Sequence, residues 1–356
     1  MENIKESIQD ELIISGMRVR NRLALPPLTT NYGGPEGTVT NEVLQFYRQR
    51  AKDVGLVIVE AAAVRADGCI VNNSLGLWDD SQIGGMKSLA DSIKEMGGAA
   101  VVQLSHAGAR GIPGGGEMHG ASPSGVYLRD NVEPFIMNQT QIDRVVDDFG
   151  HAARRAAEAG FDGVEVHGAH FYLISQFLSP VTNLRKDRYG GGVSERATFA
   201  LEIMRSVREK VGPHYPVFFR INAIEKMQGG QTVEDAITTG RVLSQAGVSA
   251  LDVSIARCSW QESNGRRFLS CSSALRKEDP FGANVVLAAR FREKTNLPVI
   301  AIGKLWNETV AAEAIHGSKI DMIAIGRQMI ADPDAAGKIL AGKSGDIILC
   351  KECLKC

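Results

Sequence analysis

Eight short apolar runs recur along the chain, each followed by a longer segment with helical spacing, and this alternation restricts the fold more than any other feature. The runs occupy residues 23–28, 55–60, 100–104, 163–167, 217–222, 250–254, 298–303 and 321–326. Strands buried on both sides read as nearly continuous apolar stretches, as these do. Between them, Ile142, Val145, Val146, Phe149, Ala152, Ala153, Ala156 and Ala157 mark one face of a helix that Gly160 is placed to end. Leu201, Met204, Val207 and Val211 precede Gly212 in the same way, and Val242 and Leu243 precede Gly247. The pattern predicts an α/β chain folded as a (β/α)8 TIM barrel over residues 1–345, with residues 346–356 as a cysteine-containing tail. A doubly wound open sheet is the alternative. Its Gly-x-Gly-x-x-Gly fingerprint is missing between the first strand and helix, and the glycines of 111–116 come after the third strand instead. Residues 107–138 are too long for an ordinary connection and are expected to form a lid or rim loop.

Charge and composition narrow the function. Forty Lys and Arg oppose 41 Asp and Glu, with no basic block, so neither nucleic acid nor a membrane surface is an expected partner. Acids stand near Met1 where an export signal would be basic, and no apolar run approaches the ~18 residues of a membrane span, so the expected location is cytoplasmic. Cys69, Cys258 and Cys271 are scattered and do not resemble a secreted disulfide framework, while Cys350, Cys353 and Cys356 cluster in the tail.

In a barrel, chemistry gathers after the C-terminal ends of the strands. There the chain carries Pro26-Pro27-Leu28-Thr29-Thr30, then Gln103 and His106, then His167, His170 and Tyr172, then Arg220 and Asn222. Gly303-Lys304 and Gly326-Arg327 come at the ends of the last two runs, where barrels often bind a phosphate through backbone N–H groups and a cation. His167 and His170, three residues apart, can face one side and polarise a carbonyl with two imidazole N–H groups, while Tyr172 delivers a proton. Two ligands of a metal site are the rival reading, for which spacing identifies no third ligand; satisfied rim histidines are the plain one. Taken singly, Arg220 at a strand end is more often a salt-bridge partner than a cofactor contact, and Gln103 more often a hydrogen-bonded core residue.

Taken together, these residues carry a resemblance. Asn21-Arg22-Leu23-Ala24-Leu25-Pro26-Pro27-Leu28-Thr29, Val59-Glu60-Ala61, Gln103-Leu104-Ser105-His106-Ala107-Gly108 and above all the segment 163–190 resemble the Old Yellow Enzyme family. That segment includes Gln176-Phe177-Leu178-Ser179-Pro180, Asn183, Arg185 and Asp187-Arg188-Tyr189-Gly190, and the likeness runs in order from Asn21 to about Pro333. The resemblance implies an FMN-containing barrel, reduced by NAD(P)H, that passes a hydride to a small electrophilic alkene. By position, Gln103 and Arg220 would contact the flavin pyrimidine edge, Pro27, Leu28 and Ala61 would flank the ring, and Thr29 would bond near O4. Gly303, Gly326 and Arg327 would hold the phosphate. His167 and His170 would bind a carbonyl or nitro oxygen, and Tyr172 would protonate the α carbon.

The chain departs from the family pattern in places. Phe171 replaces an expected glycine, Asn31 stands where one branch has tyrosine, and residues 254–263, with Arg257, Cys258 and Trp260, match no pattern and are expected to shape specificity. The tail resembles the start of the iron–sulfur segment of longer relatives such as 2,4-dienoyl-CoA reductase. With three cysteines spaced C-x2-C-x2-C, it is not expected to complete a four-thiolate cluster by itself, and reads as a remnant or as part of a site completed elsewhere. Amine oxidation on the same scaffold, a flavin-free sugar-phosphate isomerase or aldolase, and a flavin-binding sensor are the rival functions. The residues leave a homo-oligomer open and do not separate NADH from NADPH.

Overall fold

In the computed structural model, which describes residues 8–112, 119–122, 128, 134–263 and 266–354, all eight runs are parallel strands of one closed sheet. They are β1 (Leu23–Leu25), β2 (Leu56–Ala63), β3 (Ala99–Ser105), β4 (Gly163–Gly168), β5 (Val217–Lys226), β6 (Ala250–Ser263), β7 (Val299–Ile302) and β8 (Met322–Ala324). Each pairs with its neighbours in sequence, β8 pairs with β1, and β5 pairs with β6, which closes the (β/α)8 barrel. The first run yields only three strand residues, because Pro26 and Pro27 have no N–H to give the ladder.

Helices form where periodicity placed them. Asn138 caps helix Gln139–Glu158 in a reciprocal box with Gln141, and its buried face includes Ile142, Val145, Phe149, Ala152, Ala153 and Ala156. Gly160 and Gly212 end their helices at φ +83° and +80°, a conformation that costs a side chain-bearing residue energy.

The barrel interior changes character along its axis. At the N-terminal end, Ala24, Leu56, Ile58, Val101, Phe218, Ala250, Ile300 and Met322 form one cluster with Ile14, Met17 and Val19 of an N-terminal hairpin that packs against this end. One inward step further, register sets Gln103 opposite Glu165 and Arg220 opposite both His167 and Asp252. Apolar packing thus carries a polar layer facing the other end.

β6 continues beyond the barrel and turns back as the antiparallel strand Arg266–Ser272. This hairpin sets Cys258 opposite Cys271 and joins them in a disulfide, so two cysteines that look scattered in sequence are cross-strand neighbours. The described parts of the expected lid are a turn at Gly108–Arg110 and the short pair His119–Gly120 with Phe135–Ile136; much of that loop lies outside the described residues. The tail docks on the barrel. Ile348 N–H donates to Asp332 at 2.8 Å, Cys350 N–H to Gln328 at 3.0 Å, and Glu352 pairs with Lys304 at 2.8 Å; Cys356 lies outside the described residues. No described helix is long and apolar enough to cross a membrane.

Candidate functional site

The strand ends open into a cavity of about 350 Å³. Pro27, Leu28, Thr29, Ala61, Gln103, His167, His170, Tyr172, Arg220, Gly303, Gly326 and Arg327 all line it, so the structure brings every one of these sequence-predicted residues to one place. The cavity is within the size range of small-molecule and cofactor sites.

Its floor is the polar layer. Gln103 donates through Nε2 to Glu165 Oε1 at 2.7 Å, and Arg220 Nε lies 3.5 Å from Asp252 Oδ2. Burial, reinforced by the Asp252 carboxylate, drives Glu165 well above the ordinary carboxylate range, against Arg220 and the Gln103 bond. Burial raises Asp252 too, with Arg220 opposing. Burial thus disfavours charge on both acids, and the Arg220 guanidinium favours it.

The mouth is built on β4 and the turn after it. His167 is 4% exposed at the strand end, while His170 and Phe171 take left-handed φ of +61° and +58°. That double turn brings His170 Nδ1 within 3.4 Å of His167 Nε2, and Ser254 Oγ lies 2.8 Å from His170 Nε2. Burial, then the nearby Arg220, lowers both imidazoles well below the usual value, so both are neutral. The Tyr172 ring packs 5.0 Å from that of His167, and the Arg110 guanidinium lies 4.9 Å from the centre of the same tyrosine ring.

Phe171, the residue in place of glycine, is completely buried among Ala109, Leu128, Ala256 and Leu269, beside the Cys258–Cys271 hairpin. Burying the ring offsets the strained backbone and ties the histidine turn to the hairpin. Asn31, at φ +60°, accepts from Asn73 N–H at 3.0 Å and does not line the cavity.

At the opposite end, Gly303 adopts φ +149°, and a Cβ on Gly326 would come within 3.3 Å of Leu28 and Pro26. Arg327 donates through Nη2 to Leu275 O at 2.7 Å, while its buried Nη1 has no partner. An unpartnered guanidinium N–H beside two close-packed glycines suits a phosphate, so these residues fit the phosphate of a nucleotide cofactor.

Sequence reasoning missed several lining groups: Asn284, Trp306, Ser273–Leu275, Cys350 and Glu352. Trp306 lies close enough to the strand-end Gly303-Lys304 pair to have been found. Ser273–Leu275 follow the hairpin's return, Asn284 stands at the start of helix Val285–Thr295 and Cys350 and Glu352 come from the docked tail, and for none of these does a local signal exist. A second cluster, Asp67, His106 and His119, brings three ligand-type atoms within 4.8 Å of one another. Arg65 already binds both Asp67 oxygens at 2.9 Å, and His106 Nδ1 accepts Gly108 N–H at 3.0 Å, which leaves its proton on Nε2. The lone pair a metal would need there is taken, and the group reads as a hydrogen-bonded ion pair.

A closed (β/α)8 barrel with a polar floor, a phosphate corner that carries Arg327 and a pair of neutral imidazoles at the mouth defines a cofactor-binding barrel enzyme. The chain belongs to the NADH:flavin oxidoreductase / NADH oxidase family, whose model it matches over residues 11–345. It is 35% identical over 348 residues to an NADH oxidase of Thermoanaerobacter brockii, covering 96% of this chain and 52% of that protein. Among solved structures, 2-naphthoyl-CoA reductase in complex with 2-naphthoyl-CoA superposes with a TM-score of 0.89 at 27% identity, covering 98% of this chain and 54% of that one. The old yellow enzyme homologue from Zymomonas mobilis gives 0.77 at 25% identity, covering 94% and 93%. The chain spans about half the length of two of the curated relatives it matches, 52% and 49%. Membership implies FMN as the cofactor, with NAD(P)H as reductant.

Proposed function

We propose that this chain is an FMN-dependent NAD(P)H oxidoreductase that reduces alkenes activated by a conjugated carbonyl or similar group. The observation that carries this reading is the convergence of two neutral imidazole nitrogens, 3.4 Å apart, at the mouth of a cavity with Gln103 and Arg220 on its floor. FMN, when bound, would supply the hydride chemistry that links NAD(P)H to the substrate's β carbon. The protein supplies position and charge.

Gln103 and Arg220 would hold the flavin's pyrimidine edge, where the Arg220 guanidinium would supply positive charge. Pro27, Leu28 and Ala61 would flank the ring, Thr29 would bond near O4, and Gly303, Gly326 and Arg327 would hold the phosphate. His167 and His170 donate to the substrate oxygen, on which enolate charge develops as the β carbon is reduced, so their bonds strengthen in the transition state. Tyr172 gives its proton to the α carbon. Imidazole N–H donors at the mouth suit a carbonyl-type acceptor better than an amine cation, which disfavours the amine substrates of the rival oxidation. The fit to a reductase solved with an acyl-CoA thioester and to an old yellow enzyme homologue supports the same reading.

An anaerobic visible spectrum tests it. Flavin absorption should bleach with NADH or NADPH and return on adding cyclohexenone. Absorption that stays bleached with every enone tried would overturn the substrate class, and a protein that cannot be loaded with FMN would overturn the whole reading.

A further inference from the structure

We infer that Ser254 is a positioning residue that keeps His170 hydrogen-bonded through a change of tautomer, accepting a hydrogen bond from that ring as it stands and donating one to it when a substrate oxygen is held. The inference rests on the proposed role of the two histidines as an oxygen clamp. It concerns a residue in the segment that fits no sequence pattern, placed by β-sheet register beside Asn222 and 84 positions from its partner.

Proton accounting leads to it. Ala169 N–H points at His167 Nδ1 from 3.4 Å, which leaves the proton of that neutral ring on Nε2, facing His170. With His170 Nδ1 only 3.4 Å away, the stable arrangement has His167 Nε2–H donating to it. His170 then carries its own proton on Nε2 and gives it to Ser254 Oγ at 2.8 Å. One oxygen bonded by both rings needs an N–H from each. His167 Nε2 already has one; His170 must move its proton to Nδ1, which turns Nε2 into an acceptor.

That nitrogen faces Ser254, itself 2% exposed, and an unfilled acceptor held against that buried residue would cost free energy. A hydroxyl both accepts and donates by rotating about its C–O bond, so Ser254 satisfies His170 in either tautomer without moving a heavy atom. The ring itself is held from its backbone, His170 N–H donating to Asn222 Oδ1 at 3.2 Å, so the tautomer exchange leaves its position unchanged. Both rings stay neutral throughout, as burial and Arg220 dictate.

The test uses the FMN-loaded protein, a para-substituted phenol read from the flavin spectrum, and 15N NMR of labelled histidine. In the unaltered protein, phenol binding should shift the His170 proton from Nε2 to Nδ1. Ser254→Ala should bind the phenol about tenfold more weakly, the loss of one buried hydrogen bond, with FMN affinity unchanged, and Ser254→Thr should restore binding to within about twofold. A His170 proton that stays on Nε2 with phenol bound, or Ser254→Ala binding at full strength, would overturn the inference while leaving the clamp intact. Failure of the unaltered protein to bind any phenol or enone would instead overturn the clamp, and the inference with it.

Discussion

Gln103 and Glu165 meet across β3 and β4 through a 2.7 Å bond from amide nitrogen to carboxyl oxygen, and that bond decides which end of the amide faces the cavity. With Nε2 committed to Glu165, the carbonyl oxygen is the group Gln103 offers a ligand, and a ligand N–H is what it accepts. Glu165→Leu should free the amide to flip and weaken FMN binding about tenfold, while Glu165→Gln, which keeps an accepting oxygen, should stay near full affinity. Fluorescence titration of the apoprotein with FMN measures both. Full affinity in Glu165→Leu would remove the orienting role.

The histidine pair and the floor make separable contributions. Replacing His167 and His170 together by alanine removes two donors and should weaken phenol binding about 100-fold while FMN remains bound. A spectral titration with the phenol decides the matter; retained affinity contradicts the clamp.

Tyr172 belongs to the second half of the reaction. Tyr172→Phe should slow alkene reduction about 100-fold or more, the usual scale of general-acid catalysis, and leave flavin reduction by NAD(P)H nearly unchanged. Stopped-flow measurement of each half-reaction separates the two. Equal losses in both would indicate a packing role for the ring.

Acid should destabilise the fold through buried imidazoles. Burial lowers His106 to about 3, against an unfolded value near 6.5. The unfolded chain therefore binds the extra proton first, so the full stability is present above pH ~6.5 and falls as pH drops from there towards 3, by up to about 1.4 kcal/mol per pH unit. Urea midpoints across this range should show a shallower decline for His106→Gln than for the unaltered protein. Parallel curves would show that His106 does not govern the effect.

Phe171 sits at φ +58° with its ring completely buried. Phe171→Gly relieves the backbone but empties the cluster under the hairpin, and burial outweighs strain: about 3 kcal/mol of stability should be lost. Denaturant unfolding measures the balance. A more stable glycine variant would mean that strain dominates.

The sequence by itself determined the elements and their order. Apolar runs, the Asn138 box and the glycines at 160 and 212 act through backbone energetics within a few residues, so they are readable locally. Strand-end position also picked out residues of the cavity such as Gln103, His167, Arg220 and Arg327, because a barrel directs the residues after each strand to one face. The Gln103–Glu165 bond, the approach of Ser254 to His170, and the Cys258–Cys271 pair lay beyond its reach. So did the contact between the tail's Glu352 and Lys304. Each depends on strand register, on a hairpin's return or on a docked segment. Those are settled by closing the barrel and packing its rim, where residues distant in the chain become neighbours and no local preference records which ones they will be.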